Sequence, residues 1–340
     1  MKHKKRTFVI VYSILASCIL ALLAFFLIIQ GEKATAYASK PLEDERLTVL
    51  IAGLDEAAEN TDVLMLATLC QKGEMSVLQI PRDTYIKSDL YEGKINHLYR
   101  ACIDKYGKKT GADMFLSTFS DAFGVPLDYY AVFTGQNLAS LIDTVGGVTL
   151  SVPHSFEYTA ADGANRTLKE GVQTLSGEEA LAYVRFRAAY VEGDLGRLDA
   201  QMRFIAALTK QLLEQKSLRT CLRIYQKNYR NLLTNVTEKD IINIIQVYLV
   251  NRDNFDIRLM RLPGEACRGN EGAWYYVLNK KGTGEMLCSF FGGVSPSLFD
   301  TKKRFVREDR QSFSNIYGAN NCEGRIYSLD EAAKAKVLHK

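Results

Sequence analysis

Residues 47–84 read LTVLIAGLDEAAENTDVLMLATLCQKGEMSVLQIPRDT. Three short apolar runs stand out: LTVLIAG (47–53), VLMLATL (63–69) and MSVLQI (75–80). Each is too short for a core helix and lacks the polar alternation of a half-exposed strand, so each reads as a strand covered on both faces. The short connection Glu56–Thr61 permits the second strand to run antiparallel to the first. Working outward, helical patterns follow at about 96–106 and 111–123, a strand at 129–134, a helix at 136–146 and a strand at 148–153. Strands alternating with helices predict an α/β layered sheet. Residues 154–170 read as a polar loop with a turn at Asp162-Gly163. Beyond 215 the alternation weakens. Thr237 is a candidate cap for a helix through Tyr248, and 255–262 and 274–279 read as strands. From 291 to 340 the pattern fades, and a poorly ordered tail is expected.

The chain has 340 residues, 47% of them hydrophobic and 24% charged, which is ordinary for a globular protein with ample length for a core. Lys2, Lys4, Lys5 and Arg6 account for the formal +4 charge, so the remainder is balanced. A neutral body has no general attraction to nucleic acid, and no nucleic-acid partner is expected. Thr7 to Ile29 form an uncharged apolar run of about 23 residues, enough to span a bilayer. The basic residues before it place the N-terminus in the cytoplasm and the rest outside. A cleaved signal peptide is the rival reading, with Ala36-Tyr37-Ala38 as its cleavage site. The run exceeds a usual signal core, however, and the tripeptide lies well beyond its end. The expected organisation is a basic tip and single-pass anchor at 1–30, a linker at 31–46 and an extracytoplasmic domain at 47–290 with its core at 47–214. The seven cysteines include no CxxC pair, so zinc is not expected. Cys267 with Cys288 or Cys322 is an open disulfide pairing.

A second stretch, SGEEALAYVRFRAAYVEGDLGRLDAQ (176–201), gathers charge in a segment that otherwise reads as buried. Ser176 and Glu179 form a capping box, so a short helix starts there. If the chain then extends, Arg185 and Arg187 share a side and Phe186 faces away. Asp194 is placed to cap a further helix, on which Arg197 and Gln201 share one face. Converging guanidiniums call for a multivalent anion such as phosphate, whose oxygens match their planar forks. The plain structural alternative pairs these arginines with Glu192, Asp194 and Asp199.

Ligands of α/β sheets gather beyond strand carboxyl ends. Asp55 follows the first strand, Arg82 and Asp83 follow the third, and Asp62 opens the second. Asp62 joins Asp55 if that strand is antiparallel. Two carboxylates without histidine or cysteine suit a hard ion such as Mg²⁺. The alternative is that both are loop and cap residues, where aspartate is common. Lys94, in KINHLY (94–99), has the reach to a phosphate or simply opens a helix. Few histidines and the lack of GxSxG, HExxH or P-loop motifs leave little for other chemistries.

In order, GLD, TDVLMLATL, SVLQIPRDTYI, KINHLY, IDTVGGVTLSVP, LSGEEALAYVRFR and GDLGRLDAQ behind one apolar span resemble the LytR-CpsA-Psr family. The resemblance is dense over about 47–214 and weaker to about 290. It implies an α/β/α layered sandwich with a mixed central sheet and an apolar pocket for a polyprenyl tail. It also implies a membrane-anchored phosphotransferase of the Gram-positive-type envelope. Such an enzyme moves a glycopolymer (teichoic acid, capsule or other wall polysaccharide) from a polyprenyl-pyrophosphate carrier to peptidoglycan. On this chain Asp55 and Asp62 are the implied ligands of Mg²⁺ or Mn²⁺, with Arg82, Arg185, Arg187, Arg197 and Gln201 at the pyrophosphate. The departures are Glu56-Ala57, where an arginine often follows the first aspartate, Asn60-Thr61-Asp62 in place of RSD, and Ala200 before Gln201. A polyprenyl-pyrophosphate hydrolase and a non-catalytic envelope regulator are the competing readings.

Overall fold

A computed structural model describes residues 46–70, 73–186, 194–214, 232–237, 240, 256–301, 305 and 322–334. The predicted strands form as β1 (Arg46–Leu54), β2 (Thr61–Cys70) and β3 (Glu74–Ile80). They are buried almost throughout, which explains why their sequences do not alternate. β1 pairs antiparallel with β2, and β2 antiparallel with β3. After two short strands, β4 (Tyr85–Lys87) and β5 (Glu92–Lys94), come helices α1 (Leu98–Tyr106) and α2 (Lys108–Phe123). β6 (Tyr129–Phe133) then joins β1 in parallel. Helix α3 (Gly135–Val145) is closed by Gly146, whose φ of 89° ends the helix in the left-handed region.

β7 (Val148–Val152) leads into an outlying hairpin of β8 (Phe156–Thr159) and β9 (Asn165–Leu168), then β10 (Gly171–Leu175), which pairs back onto β7. The expected loop at 154–170 is therefore a hairpin. Its turn is at Asp162-Gly163, with Gly163 at φ 85°, and only Phe156 and Leu168 of its strands are buried. Helices α4 (Gly177–Arg185) and α5 (Asp194–Glu214) follow, with β11 (Leu233–Thr234) on the far side of β6. β12 (Asp256–Arg261) lies parallel to β3. The hairpin of β13 (Gly264–Arg268) and β14 (Trp274–Leu278) and the helices α6 (Lys280–Phe291) and α7 (Pro296–Thr301) complete this half.

The expectation of a poorly ordered tail from 291 is corrected for the described residues. β15 (Arg325–Ser328) pairs antiparallel with β12 as the edge strand, and α8 (Leu329–Lys334) packs behind it. Phe299, Phe305 and Ala332 are buried. The sequence hid this because β15 is an edge strand with alternating burial and few apolar residues.

The seven-stranded sheet runs β11-β6-β1-β2-β3-β12-β15, a mixed sheet with helices on both faces. One face carries Ile51, Met65 and Phe133 against α3, α4, α5 and α8, and the other carries Leu50, Leu66 and Tyr130 against α1, α2 and α6. Burial on both sides supplies the dominant stabilisation, at about 25 cal/mol per Å² of apolar surface. The apolar run at 7–29, Arg187 and the helix expected at 237–248 lie outside the described residues, apart from the Thr237 and Asp240 ends of that last segment. Among the described residues no helix is long and apolar enough to cross a membrane. Cys267, Cys288 and Cys322 are unbridged.

Candidate active site

The antiparallel turn from β1 to β2 folds around Asp55. Its backbone N–H donates to Asn60 O at 2.8 Å, and its carbonyl accepts from Ala58 N at 3.0 Å. Its carboxylate accepts from Glu59 N on Oδ1 and from Asn60 Nδ2 on Oδ2, both at 2.9 Å. Ala58 is held at φ 57°, the one left-handed non-glycine among the described residues. The loop is built to present Asp55.

β2 starts at Thr61 and β3 ends opposite its beginning, with Leu64 facing Ile80. That register brings Asp62 to Arg82, whose Nη1 donates to Asp62 Oδ1 at 2.6 Å. The Arg82 carbonyl accepts from Asn96 N at 3.1 Å, and Thr61 Oγ1 donates to Asn96 O at 3.2 Å. The segment 94–97 is thereby fixed beside both acids. His97 Nδ1 lies 2.8 Å from Asn60 Oδ1. Lys94 stands 3.0 Å from Asp83 and 5.8 Å from the Tyr275 ring centroid, so it braces the loop after β3.

The Ser176–Glu179 capping box forms as predicted. Helix α4 then runs through Arg185, where the sequence reading had an extended chain. Phe186 is the first extended residue and turns away to stack on Phe156 at 4.0 Å. Arg185 Nη1 reaches Glu56 at 2.9 Å, directly beside Asp55. From α5, Arg197 and Gln201 are each only 3% exposed. Gln201 Nε2 donates to Val184 O at 3.2 Å, and its Oε1 accepts from Gln79 Nε2 at 3.1 Å. Gln79 Nε2 also reaches Leu198 O at 3.3 Å. This knot ties α4 and α5 to the end of β3, beside the residues before Arg185, after Arg197 and before Arg82. Asp199 pairs with Arg261 at 2.9 Å and Arg325 at 2.8 Å, partners that the sequence reading did not foresee.

Next to the knot is an apolar slot lined by Val63, Met65, Leu138, Val184, Phe204 and Ile205, with Gln201 at its polar end. It is narrow. Next to Val184, the buried Tyr183 hydroxyl is pushed up to about 12 by desolvation, which the charge of Arg203 partly opposes.

The donor set suits a hard divalent cation. Asp55 has one hydrogen bond on each oxygen, and a carboxylate has about four lone-pair positions, so it keeps capacity for a metal. Among the described residues no three His, Cys, Asp or Glu side chains converge as an all-protein cage would require. Mg²⁺ characteristically takes one or two carboxylates together with substrate phosphates. Asp55 and Asp62 match that demand.

Sequence reasoning missed Glu56, Asn60, His97 and Gln79. Glu56 and Asn60 registered only as departures from a motif, and His97 was set aside because histidines are scarce. Gln79 carried a usable signal, a buried amide inside an apolar strand, which requires partners.

Comparison with known proteins places this architecture. The model of the LytR_cpsA_psr family matches residues 28–289. The chain belongs to the LytR-CpsA-Psr family. It is 30% identical over 250 residues to the Bacillus mycoides protein named polyisoprenyl-teichoic acid–peptidoglycan teichoic acid transferase TagU, covering 71% of this chain and 76% of that one. A crystal structure of B. subtilis TagV superposes with a TM-score of 0.55 at 26% identity, covering 69% of this chain and 91% of that one. The Streptococcus agalactiae protein gbs0355 has the same fold, with a TM-score of 0.62 at 24% identity over 81% of this chain and 95% of its own. The edge strand β15 and helix α8 lie beyond the family match and still complete the sheet.

Proposed function

We propose that the protein is a glycopolymer transferase that moves a wall polymer from a polyprenyl-pyrophosphate carrier to peptidoglycan. The observation that carries this reading is the meeting of the Asp55 loop, the Asp62–Arg82 pair and Arg185 at one mouth, with an apolar slot alongside. Anionic diphosphate and greasy tail are the two halves of such a donor. The TagU name supports the acceptor and the polymer class.

Arg82, Arg185 and Arg197, with Arg187, bind the diphosphate and offset charge that builds up during transfer. Asp55 and Asp62 would hold Mg²⁺ or Mn²⁺, which would supply neutralisation of the diphosphate charge. The slot beside Gln201 opens to seat the tail and thereby orients the phosphates. An acceptor sugar hydroxyl of peptidoglycan attacks the sugar-linked phosphorus. The new O–P bond forms as the pyrophosphate bridge breaks, and polyprenyl phosphate leaves with the bridging oxygen. Asp55 takes the hydroxyl proton. Residues 7–29 anchor the chain in the cell membrane with the catalytic domain outside, where lipid donor and wall acceptor meet.

The test supplies the full chain in lipid with labelled lipid-linked polymer and wall fragments. Attachment of label to the wall, lost in R82A and R185A, is the expected result. Release of free glycan phosphate without attachment identifies a hydrolase, and unconsumed donor refutes both enzymatic readings.

A further inference from the structure

We infer that Asn60 and His97 are positioning residues that hold the Asp55 carboxylate in its metal-binding orientation. This rests on the metal reading above. The argument begins with one amide. Asp55 Oδ2 can only accept a hydrogen bond, so the Asn60 group 2.9 Å from it is the NH₂. That assignment turns Asn60 Oδ1 toward His97, 2.8 Å away. An amide oxygen cannot donate, so His97 carries its proton on Nδ1. Three side chains thus determine each other's orientation: an imidazole donates to an amide, and the amide donates to a carboxylate.

The far end of this chain is anchored. His97 closes a 3₁₀ turn, Ile95–His97, whose Ile95 is fully buried. Ile95 N donates to Thr84 O at 2.8 Å and Asn96 N to Arg82 O at 3.1 Å. Arg82 in turn grips Asp62. The two acids are therefore joined through a ring of hydrogen bonds that passes through Asn60, His97 and the loop after β3. Loss of either link leaves the Asp55 carboxylate held by the Glu59 N–H alone, on an otherwise exposed turn. Partners of this kind, behind a metal ligand, raise metal affinity about 10–100-fold.

The test is Mn²⁺ titration of the full chain in lipid, followed by electron paramagnetic resonance, on wild type, D55A, N60A, H97A, H97N and the N60A/H97A double variant. N60A and H97A are expected to weaken Mn²⁺ binding about tenfold or more. The double variant is expected to bind no more weakly than N60A alone, because His97 acts through Asn60. H97N, whose amide N–H replaces the Nδ1 donor, is expected to recover most of the loss. Mn²⁺ binding that depends on Asp55 but is unmoved in N60A and H97A overturns this inference alone. So do losses that add in the double variant. Equal Mn²⁺ binding by wild type and D55A overturns the metal reading, and this inference with it.

Discussion

Replacing Gln201 by alanine separates a ligand residue from a structural tie. The side chain makes two buried hydrogen bonds, to the Val184 carbonyl and from Gln79, at a position only 3% exposed. Each such bond contributes about 1 kcal/mol net, and the Val184 carbonyl left unpaired adds a further ~1–3 kcal/mol, while Gln79 Nε2 keeps its bond to Leu198 O. The sum is about 3–5 kcal/mol. For a domain of this size each kcal/mol moves the melting temperature about 2–4 °C, so the variant should melt roughly 6–20 °C lower. R185A is the contrast, because its partner Glu56 is 59% exposed, and such a pair contributes at most about 1 kcal/mol. Circular dichroism melts of both variants, beside their binding of polyprenyl pyrophosphate, decide the matter. If Q201A melts with the wild type while losing the donor, Gln201 serves the ligand and the knot described above contributes little.

Other outcomes follow from separate parts of the fold. A Cβ on Gly177 would lie 2.4 Å from the Ala139 carbonyl, backbone that cannot yield, so G177A should lower stability by about 1–3 kcal/mol in urea titration. Burial pushes the Cys102 and Cys267 thiols up to about 11, so maleimide at neutral pH should label Cys288 and Cys322 and spare these two, as peptide mass spectrometry would show. Burial likewise pushes Tyr99 and Tyr183 up to about 12. Folded-state values above the ordinary 10 mean that their contribution is intact below pH 10 and lost as pH rises toward 12. The urea midpoint should fall across that window, and less steeply in Y183F. Removing residues 322–340 should lower the melting temperature and promote aggregation, because it bares the β12 edge and withdraws Arg325 from Asp199.

The central sheet was legible where burial on both faces writes itself as continuous apolar runs, as in β1, β2 and β3. The short connection permitted the antiparallel sense of β2 without requiring it, and the structure's antiparallel pairing is what brings the start of β2 back beside the end of β1. Helix α4 was legible through its capping box. Other features depend on tertiary context. Nothing local distinguishes Glu56 as the partner of Arg185, since an exposed glutamate in a turn has many roles. Gln201 shares a helix face with Arg197, yet only the packing of α5 beside α4 and β3 shows that its amide is spent largely inside the protein. β15 escaped notice because four residues of alternating burial carry too weak a pattern to separate from loop.

The position of β15 also bears on when the protein becomes complete. Its partner β12 sits beside β3, so a strand at 325–328 closes one edge of a sheet begun near residue 46. The distant pairing here is β3 with β12, Glu74 opposite Asp256, and pairings of that kind form slowly, after the cost of closing a long loop has been met. The helix bearing Arg197 is anchored through Asp199 to Arg261 of β12, and it gains Arg325 as a second partner only at that stage. A nascent chain therefore carries Asp55, Asp62, Arg82, Arg185 and Arg197 well before the strand that covers the β12 edge and adds Arg325 to Asp199.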